Sequence, residues 1–334
     1  MAQKETCNSC EKFKTMIGGQ ALIEGILMRG PEKDAVVCRN SEGITVEVKN
    51  RRLPGPNSPL RWPLLRGVYG FFDAQIVGVK ALLHSADLCE DEELSEEPSK
   101  FDLWLQKKLG NEKFEKFLVG SAVAAGICLS ILLFFLLPMV IGGFFDRWIQ
   151  SNLGINLIEG VIRMVIFMAY MIGISRMGEM KRLFSYHGAE HKTIRCYEAM
   201  LPLTVENVRV QSRLHPRCGT SFLLVVMVLS ILVFSIASSL LLSAVPALEA
   251  MRGSFGYKLI MIAFKLLMLP VVVAFAYEMN RWCGGHDNLL SRILRAPGMW
   301  MQHFTTREPD DSMIECAIEA VKQVLPEKEG SDRW

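Results

Sequence analysis

Long apolar runs alternate with polar segments along this chain, and the runs set its architecture. Phe117–Phe145 and residues 219–248 carry no charged side chain. Each exceeds the roughly 20 residues that cross a hydrocarbon core, so each predicts a transmembrane helix. Residues 259–277, interrupted by Lys265 and Pro270, predict a third, and residues 155–175, with Glu159 and Arg163 near the start, a fourth. Glu159 and Arg163 are one helical turn apart, where they would pair, and Lys265 is expected to face the bundle interior. A structural ion pair and a buried or snorkelling lysine are preferred over a transport role for these three.

The remaining segments read as smaller elements. Residues 35–39 and 44–49 are rich in valine, isoleucine and threonine, and Asn40-Ser41-Glu42-Gly43 between them is turn chemistry, which predicts a β-hairpin. A proline-rich connector follows over 53–63. Residues 64–83 set Arg66, Asp73, Gln75 and Lys80 among apolar positions, as an amphipathic helix on the membrane or bundle does; a fifth span is the lesser alternative. Residues 87–97 hold seven acidic side chains, a solvated linker. Ser312 with Glu315 predicts a capping box ahead of an apolar stripe of Ile314, Ile318, Val321 and Leu325. The expected fold is mainly α, a polytopic membrane bundle of about four transmembrane helices with a small β-hairpin-containing N-terminal cytoplasmic region. Its regions are 1–63, the membrane-associated helix 64–86, the linker and pre-membrane helix 87–116, the bundle 117–280 with a His-rich loop over 175–219, and an amphipathic tail 281–334.

Composition agrees with a membrane protein: 334 residues are 50% hydrophobic and 22% charged, with mean hydropathy +0.24. A formal charge of +2 gives no reason to expect nucleic acid as a partner. The distribution is more informative. The loop over 175–219 carries eight basic residues, whereas the links 146–154 and 249–256 carry one arginine each. Basic loops resist translocation, so both termini and the long loop are expected in the cytoplasm, with no cleavable signal sequence. Nine cysteines at irregular spacing predict a reducing compartment.

Chemistry concentrates in the long loop. His187-Gly188-Ala189-Glu190-His191 places two imidazoles one helical turn apart, a metal-ligand spacing, with Glu190 positioned as a general base. The string also fits the His-x-x-Glu-His pattern of inverted zinc peptidases, but their distal glutamate has no counterpart, so proteolysis does not follow. His215-Pro216-Arg217-Cys218-Gly219 lies at the entry to the span beginning at 219, where His215 and Cys218 would complete the site. Three nitrogens and a thiolate suit zinc; Glu190 or Glu198 replacing the thiolate would favour iron or manganese. If Cys218 is not a ligand, three histidines leave an open catalytic site with Arg217 as an anion partner; four ligands would close it as structural. Tyr186, Lys192 and Glu198 flank it. Near the N-terminus, the glycine-rich segment 18–31 has Glu24 and Arg29 as its only charges, expected to pair either in a compact cap or in an element docked on the site. Cys7 and Cys10, a lone pair, carry no structural metal expectation.

These strings, with Thr305-Thr306-Arg307-Glu308-Pro309-Asp310-Asp311, resemble the YqhQ family of bacterial membrane proteins over nearly the whole chain in order. That family is of unknown function and is commonly described as predicted metal-dependent enzymes. The resemblance implies a presumed divalent metal and a bacterial inner-membrane location, without a substrate. Two functions are expected from this point. One is a membrane-embedded metal-dependent enzyme, of hydrolase type. The other is a non-catalytic scaffold or assembly factor with membrane lipids and membrane-protein or peptide partners.

Overall fold

In the computed structural model, residues 13–89, 110–145, 148–149, 151–328 and 330–333 are described. Cys7, Cys10, the acidic run from residue 90 and the expected pre-membrane helix to 109 lie outside them. Four strands, β1 (Gly18–Leu22), β2 (Gly25–Arg29), β3 (Lys33–Asn40) and β4 (Gly43–Asn50), form one antiparallel sheet in that order. The helices are α1 (Leu65–Cys89), α2 (Asn111–Ile131), which runs through a π turn into α3 (Leu137–Gly142), α4 (Asn152–Ile174), α5 (Gly178–Glu198), α6 (Val205–Arg209), α7 (Gly219–Ala244), α8 (Pro246–Ala250), α9 (Phe255–Gly285), α10 (Leu289–Thr305) and α11 (Asp311–Val324). Among the described residues, four helical stretches are long and apolar enough to cross a membrane: Phe117–Phe145, Leu153–Ile174, Gly219–Ala244 and Phe255–Gly285. The run predicted over 219–248 stops at Ala244, because Pro246 opens a separate short helix. α9 runs beyond both ends of the apolar run that predicted it and carries Pro270 inside the helix.

The chain divides into two compact units. The first holds the sheet, α1, α5, α6, α10 and α11. The predicted hairpin is β3–β4, and its turn closes as an Asx turn in which Asn40 Oδ1 accepts the Glu42 and Gly43 N–H groups at 3.1 Å each. The glycine-rich segment makes a second hairpin, β1–β2, with Glu24 at φ 48° in the turn. Strand alternation then sorts the side chains: Ile26, Met28, Ala35 and Val37 pack on Tyr186, Ala189 and Ile194 of α5 and on Ile314, Ala317 and Val321 of α11. Leu27 and Cys38 point to the other face, where they meet Ala81 of α1. The central strands β2 and β3 are therefore covered on both faces, and each fully buried aliphatic contributes about 1.5–3 kcal/mol.

Two expectations change here. α11 is capped by Asp310, whose side chain accepts the Met313 N–H at 2.9 Å, while Glu315 pairs with Arg39. The expected Ser312/Glu315 box is thus displaced by an acid two residues earlier, because Asp is the better cap for a helix starting at 311. The same helix is a core element and not a separate tail. α1 rests on the unit through Gly67 against Tyr277 and through Arg66, which pairs with Glu278. It leaves Leu65, Phe72, Ile76, Val79 and Leu83 exposed along one side, the amphipathic character the sequence predicts.

The second unit comprises residues 110–169 and 230–268 among those described. Glu159 does not pair with Arg163. It pairs instead with Lys265, and Arg163 donates to the Phe134 carbonyl at 2.7 Å and the Ser230 hydroxyl at 3.1 Å, its guanidinium lying over the rings of Phe135 and Phe234. A cation on a neighbouring helix serves Glu159 better than one on its own helix, because it lets Arg163 satisfy a freed backbone carbonyl.

Candidate metal centre

α5 places the site. Its residues 186–194 are buried, an unusual fate for a segment carrying two histidines, a glutamate and a lysine. His187 and His191 fall one turn apart on one face with ring centroids 4.4 Å apart. Cys218, just before α7, completes a cluster: one ligand atom from each of His187, His191 and Cys218 lies within 4.8 Å of the others.

Backbone carbonyls orient both rings. His187 Nδ1 donates to Thr305 O at 2.8 Å and His191 Nδ1 donates to Arg213 O at 2.6 Å. A carbonyl can only accept, so each Nδ1 carries the proton and each Nε2 is left as the donor atom for an ion. His187 Nε2 lies 3.2 Å from Cys218 Sγ. His191 Nε2 is buried without a hydrogen-bond partner. Burial works against the Cys218 thiolate, yet the His191 and His187 imidazoles hold the thiol well below its usual range. Burial likewise works against a charged His187, and Cys218, Glu190 and the Thr305 carbonyl together more than offset it, so His187 is shifted up. Two imidazole nitrogens and a thiolate-prone sulfur, one of the three lacking any other partner, fit a divalent ion.

Glu190 stands beside the cluster without joining it. Its Oε1 accepts the Gly19 N–H at 2.8 Å, and its Oε2 is buried with no partner. Burial raises its acid dissociation above the normal carboxylate range, the two imidazoles opposing this and Cys218 adding to it. Gly19 is required for that contact, since a Cβ there would sit 2.5 Å from Leu27 O and 3.2 Å from the Glu190 carboxyl carbon. The glycine-rich segment is thereby docked on the site.

Other expected residues go elsewhere. His215 is not in the cluster. Its ring lies 5.5 Å from that of His191, and its Nε2 is 3.2 Å from Glu198, whose other oxygen accepts the Thr15 N–H and pairs with Arg217. Burial and then Arg217 push His215 well below the ordinary imidazole value, so it is a neutral ring in a polar network. Glu198 and Arg217 hold each other, which commits this arginine to a carboxylate and not to a substrate anion. Glu24 does not pair with Arg29: Glu24 binds Arg182 and the Tyr186 hydroxyl, and Arg29 binds Asp34 at 3.1 Å and Asp73 at 2.7 Å. The two side chains leave opposite ends of β2 and meet different helices. Lys192 ties α5 to Arg209 O and to Glu308.

The residue types of Thr305-Thr306-Arg307 gave no sign that this segment anchors the rings through its backbone. Thr305 carries the carbonyl on His187, and Arg213, whose carbonyl holds His191, is itself bound by Thr306. A signal existed, because Gly188 abuts the Arg307 carbonyl so closely that a Cβ would lie 2.0 Å from it. A small residue inside a metal-type helix marks a backbone approach of this kind.

Comparisons with known proteins place this arrangement. The chain is 30% identical over 325 residues to the uncharacterised protein YqhQ of Bacillus subtilis (strain 168), covering 95% of this chain and 94% of that protein. No solved structure matches. Residues 62–327 match the family described as proteins of unknown function, DUF1385. The sheet-and-helix unit with its buried histidine–cysteine cluster, joined to helices of membrane-spanning length, thus belongs to a member of the DUF1385 family, as the resemblance to the YqhQ proteins implied.

Proposed function

We propose that this protein is a membrane-embedded, metal-dependent enzyme of hydrolase type, with its site at the cytoplasmic membrane surface. The observation that carries the reading is the pair of imidazoles fixed through Nδ1 while Nε2 of His191 is buried and unpartnered beside Cys218. His187, His191 and Cys218 would hold the ion, zinc by the nature of the donors. Three protein ligands leave a coordination position open, as catalytic sites do and closed structural sites do not. When bound, the ion supplies Lewis acidity, polarising a carbonyl or phosphoryl oxygen and easing the loss of a proton from water.

Glu190 then takes the proton at Oε2. Gly19 holds Oε1 in place, and burial raises the proton affinity of the carboxyl above that of an ordinary glutamate, the direction a base requires. His215, Glu198 and Arg217 form the polar wall behind His191 and do not act on substrate. The charge asymmetry of the loops supports a bacterial inner-membrane protein with both termini inside, and the apolar helices support lipid as its surroundings.

A scaffold role has one observation in its favour, the edge strand β4, which pairs with no further strand among the described residues. Ile44, Val46 and Val48 are exposed there, and a groove continues to Leu203, Val205 and Ile318. Glu190→Gln separates the two functions. An enzyme keeps its fold and its ion in this variant and loses its cellular role; a scaffold keeps all three.

A further inference from the structure

The transmembrane unit has a polar cleft that the metal site does not use. It is lined by Asn156 and Glu159 of α4, Ser238 of α7, and Arg252, Lys258 and Lys265 around the start of α9. Its volume of about 50 Å³ has room for roughly three to five waters. Charge along the wall is unbalanced. Glu159 is matched by Lys265 deep in the unit, and Arg252 pairs with Glu249 at 3.3 Å. Lys258 has no carboxylate partner among the described residues, so the lining carries three cations against the one carboxylate of Glu159.

The Ser238 hydroxyl supplies a second, independent observation. Ser238 is 2% exposed, lines the cleft, and its Oγ has no hydrogen-bond partner. An apolar-facing serine normally returns its hydroxyl to its own helix, as Ser235 does to Ile231 O and Ser239 to Ser235 O on the same helix. A buried hydroxyl left without a partner costs about 1–3 kcal/mol, which a bound acceptor would recover.

We propose that this cleft binds a phosphate-bearing anion, with Lys258 at the mouth, the Ser238 hydroxyl as a donor on the wall and the Lys265–Glu159 pair at the floor. Excess positive charge in a low-dielectric wall selects an anion over a cation, and convergent N–H and O–H donors suit phosphoryl oxygens. Cations beside the end of a span are at the depth where lipid phosphodiesters lie, so a lipid headgroup and free phosphate share the required chemistry.

The test uses full-length protein in neutral detergent, with wild type, Lys258→Gln and Ser238→Ala. Each is titrated with inorganic phosphate at constant ionic strength, and separately with phosphatidylglycerol against chain-matched diacylglycerol, reading thermal stabilisation and retained lipid by native mass spectrometry. Wild type is expected to bind at least one phosphate probe, with apparent affinity at least tenfold weaker in Lys258→Gln and at least threefold weaker in Ser238→Ala. Binding of phosphatidylglycerol alone assigns the site to a lipid; binding of inorganic phosphate assigns it to a free anion. Absence of binding, unchanged binding in Lys258→Gln, or a loss in Lys258→Gln with none in Ser238→Ala overturns the proposal, the last because bulk attraction would then explain it.

Discussion

At His191 one ring nitrogen is fixed on a carbonyl and the other is buried with nothing to bind, a state that costs free energy unless something fills it. An ion there would satisfy that nitrogen, and under the proposed function replacing either ring empties the site. His187→Ala or His191→Ala is expected to lower the metal content of purified protein at least tenfold by mass spectrometry of the eluted metal; equal content would remove these residues as ligands. Glu190 gives a prediction with a pH sign. Its folded-state dissociation lies above the value of an unfolded glutamate, so its neutral form is the one the fold accommodates. Stability from that form is present at acid pH and lost as pH rises from the ordinary carboxylate range through the raised value. Metal-free Glu190→Gln, neutral at every pH, should then be more stable than metal-free wild type near neutrality, with the gap closing toward pH 4.5. Thermal midpoints measured across pH check this, and a gap independent of pH would contradict it. The spacing of His187, Glu190 and His191 was legible because a helix repeats on itself. The choice between His215 and Cys218 was not, because three residues of an irregular segment decide which side chain faces α5.

Among the elements, the segment that follows α10 matters to the site as much as α5 does. It is held by the Arg307 N–H on Phe184 O at 2.8 Å and by close contact with Gly188. Gly188→Ala puts a methyl group where the Arg307 carbonyl lies and is expected to cost about 1–3 kcal/mol while reducing metal content, since Thr305 O would leave His187. Gly178→Ala, on the same helix with nothing within 4 Å, should leave both unchanged. Melting curves and metal analysis of the two variants separate a packing defect from a general helix effect. The β3–β4 hairpin could be read from alternation and an Asn-to-Gly turn. The β1–β2 hairpin could not: Gly18 and Gly19 hide strand propensity, and β2 is buried on both faces, which erases the polar–apolar alternation. α10 also went unread, although Leu289, Ile293 and Trp300 are exposed along it beside Arg292, as an interfacial helix would present them.

At the level of the whole molecule, four apolar helices fix the class of protein and the loop charges set the expected orientation. Single cysteines placed in a cysteine-free background at Asn207 and Ser331 are expected to label only after permeabilisation, and those at Asn152 and Gly253 from outside. Labelling of Asn207 in intact cells would reverse the orientation. Apolar run length made the spans legible; the pairing of Glu159 with Lys265 in place of Arg163 was not, since it depends on which helices become neighbours. An ion held by His187, His191 and Cys218 is the centre of the proposed function. X-ray absorption at the metal edge of full-length wild-type protein tests it most directly. One ion per chain is expected, with about two nitrogen scatterers near 2.0–2.1 Å and one sulfur near 2.3 Å, the sulfur lost in Cys218→Ser. A metal-free preparation after growth and purification with zinc present, or a bound ion with no sulfur neighbour, would contradict it.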